Sequence, residues 1–528
     1  MAISEFLARR ARNRVGFVRD LPGSEICRVF EKRGYECFLL NPPDLKIAGL
    51  LDTTDAVIVS QNPEKPSHFK TDLKDILGAL DYDCRIYVRY APDLTSQSLM
   101  FDAINTLKLP FSGFAKEETR RITGNWFDDS LTVFAPFVHF LTEDDYWDRL
   151  ANLISANPAG KARNPDLKID IVLGDTSRTD EAALLLQRAF ADCSSITLRA
   201  KTNGLSGVDA FEAFAYLTDL VGSPSPYRCF VKLGPRVKVA REFQKYRSTA
   251  LEQIPFHLGP RLRADRCVLG KSLGLITCDY VGGAETLRDS IRDGRAVHVV
   301  GNLFNQTLIS WRRAAKEEKR PLHEFLVEYL QTRASLPEHR EPHIKALGAT
   351  KTLAELKALL ADAPISLPVL SGVIHGDLHA TNVLVRMNDA IIIDLESIET
   401  GKPLLIDAAS LEGGLFVDGF IEDFRPTQVI LESIMPLYTA EALNQDDHYC
   451  NPADESAWFV DSVRQIRMQA RQMERHPYQY GWTLAAVLLR KSANPDTFPE
   501  PRELVRAMAF VLAEKIILSL SQLPRALA

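Results

Sequence analysis

Short apolar runs punctuate the first part of the chain at residues 14–18 (RVGFV), 35–40 (YECFLL), 56–60 (AVIVS), 85–90 (RIYVRY) and 132–139 (TVFAPFVH). They are rich in β-branched and aromatic residues and bounded by Pro, Gly, Asn and Asp, which predicts buried strands. Amphipathic stretches at 23–33 and 69–80 lie between several of them and predict helices. Strand–helix alternation implies an α/β domain, a parallel sheet with helices on both faces, over residues 1–160. Residues 157–168 (NPAGKARNPDLK) have almost nothing to bury and read as a linker. Beyond it the pattern changes. A short strand and a helix at 180–191 (DEAALLLQRAFA) precede a β-rich segment reaching about residue 280, and a long, mainly helical tail follows. This predicts a bilobal α+β unit, with a small β-rich lobe over 166–281 and a larger helical lobe over 282–528.

The length of 528 residues exceeds one ordinary hydrophobic core and agrees with three parts. A formal net charge of -6 gives no reason to expect nucleic-acid binding. The amino terminus (MAISEFLARRARNR) lacks an apolar core of signal-peptide length, and the most apolar late stretch, 507–523, is interrupted by Glu514 and Lys515; no membrane span is expected. The eight cysteines stand singly, which argues for reduced thiols and a cytoplasmic protein, not a disulfide frame or zinc site. The outline of the first domain resembles a response-regulator receiver or another flavodoxin-like domain. Its third strand, however, ends in Ser60-Gln61 where a phospho-accepting receiver needs an Asp, and no GxGxxG follows the first strand. Docking of a protein partner or regulation is the expectation for residues 1–160.

The chemistry-bearing motif lies at 373–394, VIHGDLHATNVLVRMNDAIIID. Two strand-like runs, 383–385 and 390–393, flank the turn 386–389 and predict a hairpin. Just before it stands His375-Gly-Asp377-Leu-His-Ala-Thr-Asn382, and just after it Asp394. Phosphoryl transfer asks a protein for a carboxylate to orient and deprotonate the acceptor hydroxyl, and for oxygen ligands that hold magnesium on the phosphates. A kinase catalytic loop places its Asn five residues after its Asp, as Asn382 follows Asp377, and a second carboxylate belongs at the end of the next hairpin strand. Asp377 is therefore assigned as catalytic base, and Asn382 and Asp394 as metal ligands.

HGDLHATN followed by IIIDLE resembles the aminoglycoside phosphotransferase and choline kinase branch of the kinase-like superfamily. The resemblance covers about residue 166 to the end, and its specific motifs occupy about forty residues. It implies a kinase-like fold, Mg2+, and ATP or GTP as phosphate donor. It also implies that His375 props the loop and that Asp407, in Ile406-Asp407-Ala408-Ala409, braces it. Many relatives carry Phe-Gly or Trp-Glu after the metal Asp, where this chain has Leu395-Glu396. Glu396 either assists a second metal ion or is a supporting or solvated carboxylate. Residues 395–406 are a short interval for docking a peptide and typical of small-molecule kinases.

A kinase also needs a strand lysine for the α/β-phosphates, paired with a Glu on the next helix. Cys229-Phe-Val-Lys232-Leu-Gly supplies Lys232 and the helical segment 240–247 (AREFQKYR) supplies Glu242, with Lys238 and Lys245 as competitors for the lysine. Gly204 and Gly207, in KTNGLSG, suit a phosphate-covering hairpin loop or a plain surface turn. Residues 275–280 (LITCDY), followed by Val281-Gly-Gly, occupy the place of an adenine-contacting hinge. The charge-rich segment 312–320 reads as a solvated helix face.

From Glu399 to Asp461 there are thirteen Asp or Glu against Lys402 and Arg425. Such a region either grips a cationic acceptor or is solvated surface. Arg464, Arg467, Arg471 and Arg475 form a basic stripe that either answers the acidic stretch within the fold, the preferred reading, or contacts a phosphate or faces water. The leading reading is a phosphotransferase acting on a hydroxyl of a small polar molecule, a cationic one if the acidic stretch lines its site. The alternatives are a signalling component acting on a protein or nucleotide, similar to kinase-like components of bacterial conflict systems, and a nucleotide-binding pseudokinase switch.

Overall fold

The computed structural model describes residues 14–41, 54–60, 85–90, 111–112, 138–142, 147–156, 164–172, 180–201, 208–218, 226–270, 273–331, 333, 335–363, 368–419, 427–444, 457–498 and 502–523. The chain divides into two compact units, Met1–Lys245 with Arg261–Tyr280, and Tyr246–Pro260 with Val281–Ala528.

The first unit contains two sheets. The apolar runs near the amino terminus form β1 (Arg14–Val18), β2 (Glu36–Leu40), β3 (Thr54–Ser60), β4 (Arg85–Tyr90), β5 (Phe111–Ser112) and β6 (Val138–Thr142). They pair in the order β2-β1-β3-β4-β6-β5, and every pairing is parallel. Helices α1 (Ser24–Glu31) and α2 (Trp147–Ala156) bury Phe30, Leu150, Ala151 and Ile154 against Val15, Phe17, Ile58 and Tyr87. The expected parallel α/β sheet is therefore present. The sixth strand is described from Val138; residues 132–137 of the run read as a strand, and the expected helix at 69–80, lie outside the described residues.

The second sheet is built from β7 (Lys168–Val172), β8 (Cys193–Ala200), β9 (Asp209–Leu217), β10 (Tyr227–Pro235), β11 (Val268–Leu269) and β12 (Leu273–Asp279), ordered β11-β12-β10-β9-β8-β7. β7 and β8 are parallel and the remaining neighbours antiparallel. Helix α3 (Asp180–Ala189) packs Leu185 and Leu186 on the face made by Ile196, Ala213, Cys229, Val231 and Leu275. Helix α4 (Arg236–Lys245) follows β10 without a loop, and its Val239, Ala240 and Phe243 cluster with Leu269 and Ile276. Gly274 permits that approach: a Cβ there would sit 2.8 Å from the Val239 side chain.

The second unit is mainly helical. Two small sheets carry its loops: β13 (Glu285–Thr286), β16 (Val383–Arg386) and β17 (Asp389–Ile392) form one; β14 (Lys316–Glu318), β15 (Val369–Ile374) and β18 (Glu399–Pro403) form the other. The buried helices α5 (Leu405–Gly419), α6 (Ala457–Arg471), α7 (Gln479–Ser492) and α8 (Arg502–Ser521) share one apolar core with Ile374, Leu378, Val383 and Ile392 of the loop-bearing strands. The charged segment 312–320 departs from the helical expectation. The helix there ends at Ala314, and the exposed Lys316–Glu318 adds an edge strand to β15, a position that tolerates charge because one side faces water.

Candidate active site

Strand β15 runs directly into His375-Gly376-Asp377. Gly376 has φ of 78°, and a Cβ on it would run into the backbone carbonyl of Ser397. Only glycine adopts that conformation and that approach without strain. The backbone N–H groups of His375 and Gly376 donate to the two oxygens of Asp407 at 2.8 and 3.0 Å, so the carboxylate at the start of α5 clamps the loop. Burial pushes the Asp407 carboxyl up to about 7, against the pull of those two N–H groups, and the nearby Asp377 charge adds to the rise.

His375 is fully buried and donates from Nε2 to the carbonyl of Ile393 at 3.0 Å, one residue before Asp394. Burial lowers its pKa, so the ring works as a neutral prop. The backbone N–H of Ile393 donates to the Asn382 carbonyl at 2.9 Å, and Asn382 Nδ2 donates to the Asp377 carbonyl at 3.1 Å. These bonds gather His375, Asp377, Asn382 and Asp407 around the start of the loop and tie it to the residue before Asp394. The hairpin joins β16 to β17 through Met387-Asn388, with Met387 in the left-handed region. Asp394 has φ of 62° and ψ of 69°, a left-handed backbone for a non-glycine residue, and Leu395–Ser397, with Glu396 at its centre, makes a single 3₁₀ turn after it.

The side chain of Asp377 is 56% exposed, and His379 Nε2 lies 3.6 Å from its Oδ2. Crowding by neighbouring atoms opposes ionisation of this carboxyl. The nearby His379 ring, with the charge of Lys491, outweighs it and holds Asp377 well below the ordinary carboxylate range. The other ring nitrogen of His379 is 2.7 Å from Thr381 Oγ1. The sequence reading assigned no role to His379, although it stands inside the quoted motif. It offered no cue to Lys491 at all.

In the first unit, Lys232 Nζ donates to both oxygens of Glu242, at 2.9 and 3.0 Å. Strand alternation turns Cys229, Val231 and Leu233 into the α3-facing core and leaves Lys232 on the opposite face, where α4 presents Glu242. Gly204 and Gly207 lie outside the described residues. Also in the first unit, the Arg228 guanidinium stacks 4.3 Å above the Tyr280 ring.

The acidic stretch is used partly within the fold. Glu412 accepts from Arg467 at 2.7 and 3.1 Å and from Tyr480 Oη at 2.6 Å, all buried. Arg467 thus answers the acidic stretch as expected, whereas Arg475 lies past the end of α6 and pairs with Glu317 at 2.7 Å. A stripe defined by helical spacing breaks where the helix ends.

Residues 220–415 match the phosphotransferase enzyme family over both Lys232 and the 375–394 loop. Similar solved structures include a thermostable mutant of aminoglycoside phosphotransferase APH(4)-Ia in its apo form, with 13% identity over 62% of this chain and 94% of that one at a TM-score of 0.34. The amicoumacin kinase hAmiN in complex with AMP-PNP, Ca2+ and Ami shares 11% identity over 66% and 97%, at 0.37. A glucosamine kinase in complex with glucosamine, ADP and inorganic phosphate shares 15% over 65% and 85%, at 0.32. No curated protein matches the sequence significantly. Among the described residues, no helix is long and apolar enough to cross a membrane.

Proposed function

We propose that the chain transfers the γ-phosphate of ATP or GTP to a hydroxyl of a small polar molecule, with Asp377 as base. The observation that carries this reading is the state of Asp377: exposed, ionised, and held in a loop that Asp407 clamps and Asn382 closes. An exposed carboxylate in that state can accept the hydroxyl proton of the acceptor as the oxygen–phosphorus bond forms. Lys232, oriented by Glu242, would hold the nucleotide phosphates.

Asn382 and Asp394 fit a hard cation. The Asn382 amide nitrogen is engaged by the Asp377 carbonyl, which turns the amide oxygen into the end left for a metal. Mg2+ takes few protein oxygens together with phosphates and water, and when bound it would neutralise charge on the transferred group. Glu396 is the candidate to assist a second ion. Asp407 and Glu412 are occupied inside the fold, so the case for a cationic acceptor rests on the remaining carboxylates of the 399–461 stretch.

For residues 1–160 a docking or regulatory role is proposed. With the two-residue β5 set aside as an addition at the edge, the remaining order β2-β1-β3-β4-β6 is that of flavodoxin-like sheets, and α1 and α2 share one apolar cluster on the sheet, which supports that likeness. The chain is placed in the cytoplasm on its single cysteines.

The test is incubation with Mg2+ and γ-labelled ATP or GTP against metabolite and protein pools. Label in a small molecule, lost in Asp377→Asn with nucleotide binding retained, is the expected result. Label in protein favours the signalling reading, and nucleotide binding without transfer or hydrolysis favours the switch.

A further inference from the structure

Gly413 and Gly414 leave part of α5 without side chains where it meets the catalytic loop. A Cβ on Gly414 would sit 2.8 Å from the Cβ of His379, and one on Gly413 would sit 3.4 Å from Cε of Lys491. His379 meets one glycine through its Cβ and Cα and its ring nitrogen lies 3.6 Å from Asp377, while the stem of Lys491 meets the other. Asp418, one helical turn after Gly414, has Oδ2 3.9 Å from the same Cβ position.

Lys491 stands near the end of α7, a helix otherwise almost wholly buried. Its neighbour Arg490 is occupied, donating to the Tyr329 carbonyl at 2.7 Å and stacking 4.3 Å over the Tyr329 ring. Lys491 differs. Its stem is packed and half-buried, yet among the described residues its ammonium has no ion-pair or hydrogen-bond partner. A lysine whose stem is packed points its charge in a restricted direction, and the charge of Lys491 is felt at Asp377. A partly desolvated ammonium without a partner attracts an anion and repels a second ammonium.

We propose that Lys491 selects the acceptor, taking an anionic group (a carboxylate or phosphate) beside the hydroxyl offered to Asp377 and excluding an amino group from that place. This rests on the phosphotransferase reading above. A cationic substituent on the acceptor, if present, belongs away from the reacting hydroxyl.

The test uses the full chain with Mg2+ and ATP and four acceptors on one hexose skeleton: glucuronate, glucose 6-phosphate, glucose and glucosamine. ATP hydrolysis by water is followed in parallel. The expected ranking in kcat/KM is the two anionic acceptors, then glucose, then glucosamine; which anion leads tells carboxylate from phosphate. Lys491→Met should lower the preference for the anionic acceptors over glucose about ten-fold, the size of a lost charge-assisted hydrogen bond, through acceptor KM. Lys491→Arg should keep the preference, which separates loss of charge from loss of packing. Preference for glucosamine, or a ranking untouched by Lys491→Met, overturns the proposal. So does an equal fall in kcat with every acceptor including water, which puts the lysine on the transferred phosphoryl group. ATP hydrolysis with no transfer to any of the four also counts against an anionic acceptor. Failure of the phosphotransferase reading looks different: neither hydrolysis nor transfer in the wild type.

Discussion

The Lys232–Glu242 pair and the 375–382 loop are held by different physics. Lys232 and Glu242 stand on a strand and on the helix that follows it at once, so local periodicity brings them together and two hydrogen bonds complete the pairing. The loop has no such support. Its shape depends on a glycine with positive φ, a neutral buried histidine, and a carboxylate far along the chain that accepts two backbone N–H groups. A pair built on regular elements tolerates change beside it. A loop braced by long-range polar contacts fails when one brace is removed, because each buried group left unpaired carries its full desolvation cost.

The largest test of that contrast is Asp377→Asn. Removing the base while keeping the loop's shape should lower kcat by about 10²-fold or more with nucleotide binding preserved; isothermal titration and initial rates check both halves. Gly376→Ala attacks the loop itself. The added Cβ meets the Ser397 carbonyl at a φ of 78°, so a loss of about 1–3 kcal/mol in stability should accompany the loss of transfer, read by denaturant unfolding. Lys232→Met addresses the other region. Nucleotide KM should rise about ten-fold while the melting temperature moves little, since α4 stays packed through Val239, Ala240 and Phe243. Melting of Lys232→Met as low as that of Gly376→Ala would erase the contrast.

The smallest effect is a pH slope. Asp407 has a raised carboxyl, at about 7 against about 4 in the unfolded chain. The folded unit therefore holds a proton that the unfolded chain releases, and this contribution is full below about pH 4 and fades as pH rises to about 7. Asp407→Asn should flatten that part of the stability curve; an unchanged slope would assign it to other groups. Asp377 acts in the opposite sense, its contribution being lost as pH falls below the ordinary carboxylate range.

Much of this was legible in one sequence. Runs such as RVGFV and RIYVRY announced parallel strands because buried strands need no polar alternation, and the hairpin 383–392 was marked by two apolar runs around Met387-Asn388. The Asp377–Asn382 spacing is a local code and survives as sequence. The extra strand at Lys316–Glu318 was not legible, since its charges suit a solvated helix and an edge strand equally. The basic stripe was half legible: helical spacing ended with α6, and Arg475 turned to Glu317.

The sequence by itself determined the elements whose information is local: apolar periodicity, turn chemistry, and motif residues within a few positions of one another. Tertiary structure alone decided which distant groups meet. It put Asp407 under the loop, turned Glu412 inward to Arg467 and Tyr480, and laid His379 and Lys491 on two adjacent glycines of α5. The reason is physical: a buried carboxylate or a packed lysine is defined by what desolvates and faces it, and those neighbours come from elements that only folding brings together.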